Sequence, residues 1–174
     1  MSATGRRILS GSHRCFCRRT CATPHGGLTL TSIEKVPVLL SIRGEQYFEG
    51  VDPDATELMT EGTMELTESG MRLNYQETEL TGMAGTSTTF EVRGPRVILT
   101  RSGKVNSQMV FEEGRQHTSL YETPFGELTV DIQTGRLRHN LSERGGVMEI
   151  QYSIAVEHTV TGRNRFKIRV RRKN

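Results

Sequence analysis

Apolar residues recur at every second position along most of this chain, and that period constrains the fold more than any other feature. The alternation begins at Val36 and is clearest in two late segments, 148–156 and 166–170. A period of two places successive side chains on opposite faces of a β-strand, whereas a helix needs a period of 3.6. Earlier sets of the same kind cover 36–42, 58–66, 71–75, 88–92, 97–99, 109–111, 128–132 and 137–141. The sequence therefore predicts strands with one buried face.

Short turn signals separate these strands. Nine such signals, among them Glu113-Gly114, Thr134-Gly135 and Thr161-Gly162, lie mostly about 9–16 residues apart. That spacing is too short for helical crossovers between parallel strands and is typical of an antiparallel sandwich or barrel. A closed barrel leaves no exposed sheet edges. We therefore predict that residues 34–174 form a single all-β domain, an antiparallel meander closed into a small barrel.

Charge is segregated along the chain, although the net charge is only +3. Residues 1–33 contain five arginines and residues 163–174 contain seven basic residues, and neither segment has an acidic residue. The stretch 34–162 holds the other 11 basic and all 20 acidic residues, which gives it a net charge of −9. No run reaches the roughly 18 apolar residues of a membrane span. The absence of tryptophan also argues against an extended base-stacking platform.

The first 33 residues differ in composition from the rest of the chain. They contain Cys15, Cys17 and Cys21, flanked by His13 and His25, but no C-x-x-C pair of a typical zinc site. An arginine-rich, acid-free composition is also typical of transit peptides, yet the amphipathic period is poor. We expect a basic, disordered leader or an extension from an incorrectly assigned start codon, with no metal and no cofactor. Because all three thiols lie here, the domain has no disulfide, which suits the cytoplasm.

Five motifs in the middle of the chain depart from plain alternation. They are YQETELTGM at 75–83, GTSTTF at 85–90, RSG at 101–103, MVF at 109–111 and YETPFG at 121–126. Together they resemble the YwiB-like family of small bacterial proteins, a domain of unknown function. The resemblance covers about residues 36–172 and implies a calycin-like, lipocalin-type β-barrel. It implies no activity, substrate or catalytic residue.

Glu77 and Glu79 form the most informative polar pair, because an unbroken strand would point both side chains inward. Buried carboxylates need partners, and Arg101 is in phase with the apolar positions of its own strand. One interpretation is a polar cluster of Tyr75, Glu77, Glu79, Arg101 and Tyr121 at the barrel mouth, which orients a small-molecule ligand. The alternative is that the strand bulges or ends by Glu77, so that these groups bond turn amides in the following loop.

The last strand presents a second group of polar residues, on its outward face: Arg165, Lys167, Arg169 and Arg171. Such a stripe can bind nucleic acid or another polyanion by counterion release. Alternatively, the basic groups pair with acidic residues on the neighbouring strand, each pair contributing about 0.2–1 kcal/mol.

Three function hypotheses follow from these residues. The first is a cytoplasmic binding module without catalytic activity, which holds a small molecule or a partner. The second is a nucleic-acid- or polyanion-associated protein that uses the basic last strand. The third is a hydrolase, because Glu77 and Glu79 lie roughly 7 Å apart along one strand face, a spacing that glycoside hydrolysis can use.

Overall fold

The computed structural model describes residues 34–48, 50, 52–123 and 126–173. The predictions for the leader, including those for Cys15, Cys17 and Cys21, lie outside the described residues. The strands are β1 (Lys35–Tyr47), β2 (Asp54–Thr67), β3 (Gly70–Gln76), β4 (Thr86–Arg93), β5 (Arg96–Gly103), β6 (Ser107–Glu112), β7 (Gln116–Thr123), β8 (Gly126–His139), β9 (Gly145–Val156) and β10 (Thr159–Arg172). A 3-10 turn, Glu79–Thr81, lies between β3 and β4.

All ten strands belong to one antiparallel sheet, in the order β6-β5-β4-β3-β2-β1-β10-β9-β8-β7. Each strand pairs with its neighbours in sequence except that β6 and β7 do not pair with each other, and β1 also pairs with β10 in the middle of the sheet. The prediction of an all-β antiparallel meander is therefore confirmed. Pairing of β1 with β10 brings the two ends of the domain together: the backbone N–H of Lys173 donates to the carbonyl of Pro37 at 3.0 Å.

The sheet curls into a nearly closed barrel, in agreement with the prediction. Its two edges are β6 and β7, which are consecutive in the chain and share no hydrogen-bonded ladder in the described structure. The turn between them bonds to β8 instead. The N–H of Gly114 donates to the Thr134 carbonyl at 2.9 Å, and the N–H of Thr134 donates to the Arg115 carbonyl at 3.0 Å. The N–H of Leu137 also donates to the Glu113 carboxylate at 3.0 Å. The two edges of the sheet are therefore held near each other by hydrogen bonds from the β6–β7 turn to β8, and not by a ladder between β6 and β7.

The interior of the barrel is filled by the apolar set that the period of two predicts. Along β1, for example, Val36, Val38, Leu40 and Ile42 are buried, whereas Lys35 is exposed. The remaining core residues are Leu58, Met64, Met71, Leu73, Tyr75, Phe90, Val92, Val97, Leu99, Phe111, Ile132, Leu137, Met148, Ile150, Tyr152, Ile168 and Val170. Burial of this apolar surface is the main source of stability for the fold.

Two predicted turns are wrong. The segment at Thr134-Gly135 is a bulge inside the continuous strand β8, and that at Thr161-Gly162 is a bulge inside β10. The hairpin between β9 and β10 instead turns at Glu157 and His158, whose φ angles of 46° and 64° are left-handed. A bulge inserts one extra residue and bends the strand, so it favours the same small residues as a turn. Strand β7 has no counterpart in the predicted set.

Candidate functional site

A cavity of about 340 Å³ opens at one end of the barrel. It is bounded by the last residues of β1, β3 and β5 and by the facing ends of β2, β9 and β10. The apolar part of its wall consists of Ile42, Leu58, Met83, Met109, Ile154 and Phe166. Polar side chains form the rest, and four of them lie inside the barrel: Tyr75, Glu77, Arg101 and Tyr152. An apolar hollow with a few converging polar groups is the usual composition of a small-molecule site.

Glu77 follows the last residue of β3 and still points inward, with its side chain only 1% exposed. Its backbone N–H donates to the carbonyl of Thr86 at 2.8 Å, which fixes the position of the chain. Three hydroxyl groups donate to the carboxylate. Oε1 accepts from Tyr75 at 3.0 Å and from Thr88, and Oε2 accepts from Thr81 at 2.9 Å. These donors replace the water that a buried carboxylate loses.

Arg101 lies opposite Thr88 in the β4–β5 ladder and faces the same interior. Its Nε is 3.8 Å from Oε1 of Glu77, and its side chain is 11% exposed. This ion pair is longer than a hydrogen bond. The Nε atom is buried without a hydrogen-bond partner, and the terminal nitrogens make no hydrogen bond to any described residue. The guanidinium therefore retains donors that the domain does not use.

Two tyrosines face the cavity, and both remain protonated at neutral pH. Burial raises the pKa of Tyr75 far above its ordinary value, and the neighbouring charge of Glu77 adds to this shift. Burial also raises the pKa of Tyr152 to about 12, against the opposing effect of the Arg101 charge. The Tyr152 ring packs against Phe111 at 4.9 Å and stacks with Phe166 at 6.1 Å between ring centroids. Its hydroxyl makes no hydrogen bond to the described part of the chain, so it is a further unused donor.

The structure brings together three of the five residues predicted at the barrel mouth. Tyr75, Glu77 and Arg101 line the cavity, but Tyr121 is half-buried on β7 and does not. Glu79 lies in the exposed 3-10 turn, so the prediction that it faces inward is wrong. The strand ends before Glu77, as the alternative interpretation supposed, and the chain then turns away from the barrel. Glu77 and Glu79 consequently do not form a pair of facing carboxylates.

Tyr152 was not among the site residues predicted from the sequence. The alternation of β9 placed it in the interior, where it counted only as a core side chain. A buried tyrosine hydroxyl usually finds a hydrogen-bond partner. The signal in the sequence was therefore a tyrosine at an inward position of a barrel strand, which indicates a polar group in the interior. The sequence alone does not show whether that hydroxyl is hydrogen-bonded.

The basic stripe lies where it was predicted, on the outward face of β10, but β10 is a central strand of the sheet. Arg165 contacts Glu149 at 3.0 Å and Glu45 at 3.6 Å. Its hydrogen bond is the largest cause of a lowered pKa at Glu149. Within the described structure, the other members of the stripe form no ion pair: Lys167, Arg169 and Arg171. The acids closest to the stripe are therefore already bound to its first residue.

Two further kinds of site are absent from the described residues. No group of three or more His, Cys, Asp and Glu side chains there is arranged to hold a metal ion. No helix in those ranges has the length and hydropathy needed to cross a membrane.

Comparisons with known proteins agree with this architecture. The chain is 25% identical over 123 residues to the uncharacterized beta-barrel protein YwiB of Bacillus subtilis (strain 168), across 71% of this chain and 84% of that protein. The crystal structure of the ywiB protein from Bacillus subtilis superposes with a TM-score of 0.71 at 22% identity, and it covers 80% of this chain and 94% of that one. This likeness shows the fold. The family model for the domain of unknown function DUF1934 matches residues 40–168. The resemblance inferred from the five motifs is thus confirmed, and the chain belongs to the DUF1934 family.

Proposed function

We propose that this protein is a binding module that holds a small molecule in its barrel cavity without transforming it. The observation that carries the proposal is the Glu77–Arg101 pair, buried beside an apolar wall with arginine donors unused. Burying two charges is unfavourable, and apolar residues of the same shape often give a more stable core. A charged pair in this position therefore indicates a use within the cavity.

The size of the cavity supports a small ligand. Its volume of about 340 Å³ lies near the lower end of the range of about 300–1,000 Å³ for small-molecule sites. Methionine side chains at Met83 and Met109 form part of the wall, and methionine adapts readily to irregular ligand shapes. Binding is favoured over hydrolysis, because Glu79, the predicted second carboxylate, lies outside the cavity. The compartment that we propose is the cytoplasm, since residues 34–174 contain no cysteine.

Native mass spectrometry of the full chain, purified gently from the organism that makes it, tests the proposal. We expect an additional mass that disappears on denaturation. The variant Met109→Trp fills the cavity and should abolish that mass. Its matched control, Val110→Trp, changes the opposite face of the same strand and should retain it. A bare protein mass in repeated wild-type preparations, or an adduct that survives in Met109→Trp, would contradict the proposal.

A second function, binding of nucleic acid, is supported by a separate observation. Arg165 already engages the two acids nearest the stripe, and Lys167, Arg169 and Arg171 form no ion pair in the described structure. Cationic side chains on a sheet surface bind phosphates by releasing counterions, and the affinity then falls steeply with salt. This proposal uses the outer face of β10 and is independent of the cavity.

A salt titration with duplex DNA tests this second proposal. Each phosphate contact contributes about 0.9 to the slope of log K against log salt, so changing Lys167, Arg169 and Arg171 together to glutamine should reduce the slope by about 2–3. A matched triple variant removes Arg93, Arg96 and Arg115, which are already paired with acids, and should have a smaller effect. Equal effects of the two triple variants, or no binding at low salt, would contradict nucleic-acid recognition by β10.

A further inference from the structure

Two polar groups in the wall of the cavity, the Arg101 guanidinium and the Tyr152 hydroxyl, can donate hydrogen bonds that no described residue accepts, whereas the unpaired acceptors Gln46 and Asp54 are exposed at the mouth. Glu77 is the acceptor nearest to Arg101, and its two oxygens already receive hydroxyl groups from Tyr75, Thr81 and Thr88. The buried Nε of Arg101 has no hydrogen-bond partner, and the hydroxyl of Tyr152 makes no hydrogen bond to a described residue. Both side chains line the same cavity, and the charge of Arg101 reaches the Tyr152 hydroxyl strongly enough to influence its pKa. A ligand that satisfies them must bring an acceptor.

The charge and shape of these donors select the kind of acceptor. An arginine is always protonated, and its planar fork matches the two oxygens of a carboxylate. The charge of Arg101 is only loosely compensated, because Glu77 lies 3.8 Å from Nε and is itself bonded to three hydroxyls. A phosphate dianion would bring a second negative charge that the single cation of Arg101 does not balance. Asp54 at the rim would also repel a second negative charge.

The rest of the wall determines the body of the ligand. The apolar side of the cavity is formed by Ile42, Leu58, Met109, Ile154 and Phe166, whereas the polar lining residues Gln46, Asp54 and Thr56 are exposed at its mouth. A ligand whose polar atoms were spread along its length would leave some of them unpaired against this wall, which is unfavourable. An aliphatic or aromatic body is therefore the better match.

We infer that the cavity recognises a small monocarboxylic acid, whose carboxylate is held by Arg101 and Tyr152 and whose apolar body lies against Met109, Ile154 and Phe166. This inference rests on the proposed function, because it assigns the chemical class of the ligand for the same cavity. Arg101 supplies the charge and Tyr152 supplies a directed hydroxyl. Glu77 and its three hydroxyl donors hold Arg101 in position.

Isothermal titration of the full chain with octanoate, octanol and octylamine tests the inference, because the three probes share a chain and differ in the head group. A charge-assisted hydrogen bond corresponds to about a tenfold to hundredfold gain in affinity, so octanoate should bind more tightly than octanol by that factor. Octylamine should bind most weakly, because its cation meets Arg101. The variant Arg101→Gln should remove the difference between octanoate and octanol.

Because Arg101→Gln removes a buried charge and can disturb folding, a second, more conservative variant tests the same inference. Tyr152→Phe keeps the ring contacts with Phe111 and Phe166 and removes only the hydroxyl. It should weaken octanoate binding severalfold without lowering the melting temperature, and its matched control Tyr121→Phe should bind octanoate as the wild type does. Equal binding of octanoate and octanol by the wild type, or no binding of octanoate, would overturn the carboxylate assignment. The cavity proposal itself fails separately, if native mass spectrometry finds only bare protein.

Discussion

Replacing Gly62 with alanine should destabilise the domain, because its methyl group would meet backbone atoms. A Cβ atom at this position lies 2.4 Å from the carbonyl oxygen of Asn74 and 3.0 Å from Cδ1 of Leu40. Asn74 pairs with β2 in the ladder, so its carbonyl cannot retreat without disturbing that ladder. Overpacking of this kind typically costs about 1–3 kcal/mol, while alanine gains about 0.5–1 kcal/mol over glycine inside a strand. We expect the free energy of unfolding to fall by about 1 kcal/mol, the midpoint cost less the midpoint gain.

Gly44 in the adjacent strand provides the matched control. It also faces inward, but a Cβ atom there lies 3.6 Å from the Phe166 ring, an ordinary van der Waals distance. Gly44→Ala should therefore leave the stability unchanged or raise it by about 0.5 kcal/mol. Urea unfolding of both full-length variants, followed by far-UV circular dichroism, measures the difference as a shift in midpoint at constant slope. If Gly62→Ala and Gly44→Ala shift the midpoint equally, the close approach of β2 and β3 is not the cause.

Two further predictions concern acidic side chains. The hydrogen bond from Thr118 is the largest cause that lowers the pKa of Asp131 below its ordinary value of 3.8, and the hydrogen bond with His158 is the next. The resulting stabilisation is present above pH 3.8 and is lost as the pH falls through the lower pKa of the folded state. The variant Asp131→Asn should remove this part of the acid dependence of urea unfolding, and an unchanged pH profile would contradict the prediction. Glu77→Gln keeps the shape but leaves the charge of Arg101 uncompensated, so thermal unfolding should show a loss of about 1.5–3 kcal/mol, and a melting temperature equal to that of the wild type would refute the role assigned to the carboxylate.

The fold was largely predictable from the sequence, because the alternation of apolar and polar residues along a strand indicates which side chains are buried. The buried positions of β1 are the apolar residues Val36, Val38, Leu40 and Ile42, and the strand was predicted from that pattern. Strand β7 was missed since its inward positions are His117, Ser119 and Tyr121, which carry no apolar alternation. The bulges at Gly135 and Gly162 were mistaken for turns because the same residues permit either structure. The length of the strand distinguishes a bulge from a turn, since a strand continues on both sides of a bulge.

The candidate site was predictable only in part, because its geometry depends on distant segments. The phases of Glu77 and Arg101 placed both in the interior, and the structure agrees. The outward position of Glu79 depends on a turn that ends at Gly82, in the left-handed conformation with φ 70°. A strand pattern does not show where such a turn begins. The unbonded hydroxyl of Tyr152 depends on side chains from other strands, Phe111 of β6 and Phe166 of β10 among them, which no local pattern contains.

The pairing of β1 with β10 in the middle of the sheet has a consequence for the speed of folding. Every other ladder joins strands that are neighbours in the chain, but this ladder joins the two ends of the domain. Loop-closure entropy must be overcome before that ladder can form, so it raises the contact order and slows folding. A circular permutant, with the adjacent ends joined and the chain opened at residues 113–115, would contain ladders only between consecutive strands. We expect such a permutant to fold faster than the natural chain while its barrel keeps the same sheet order.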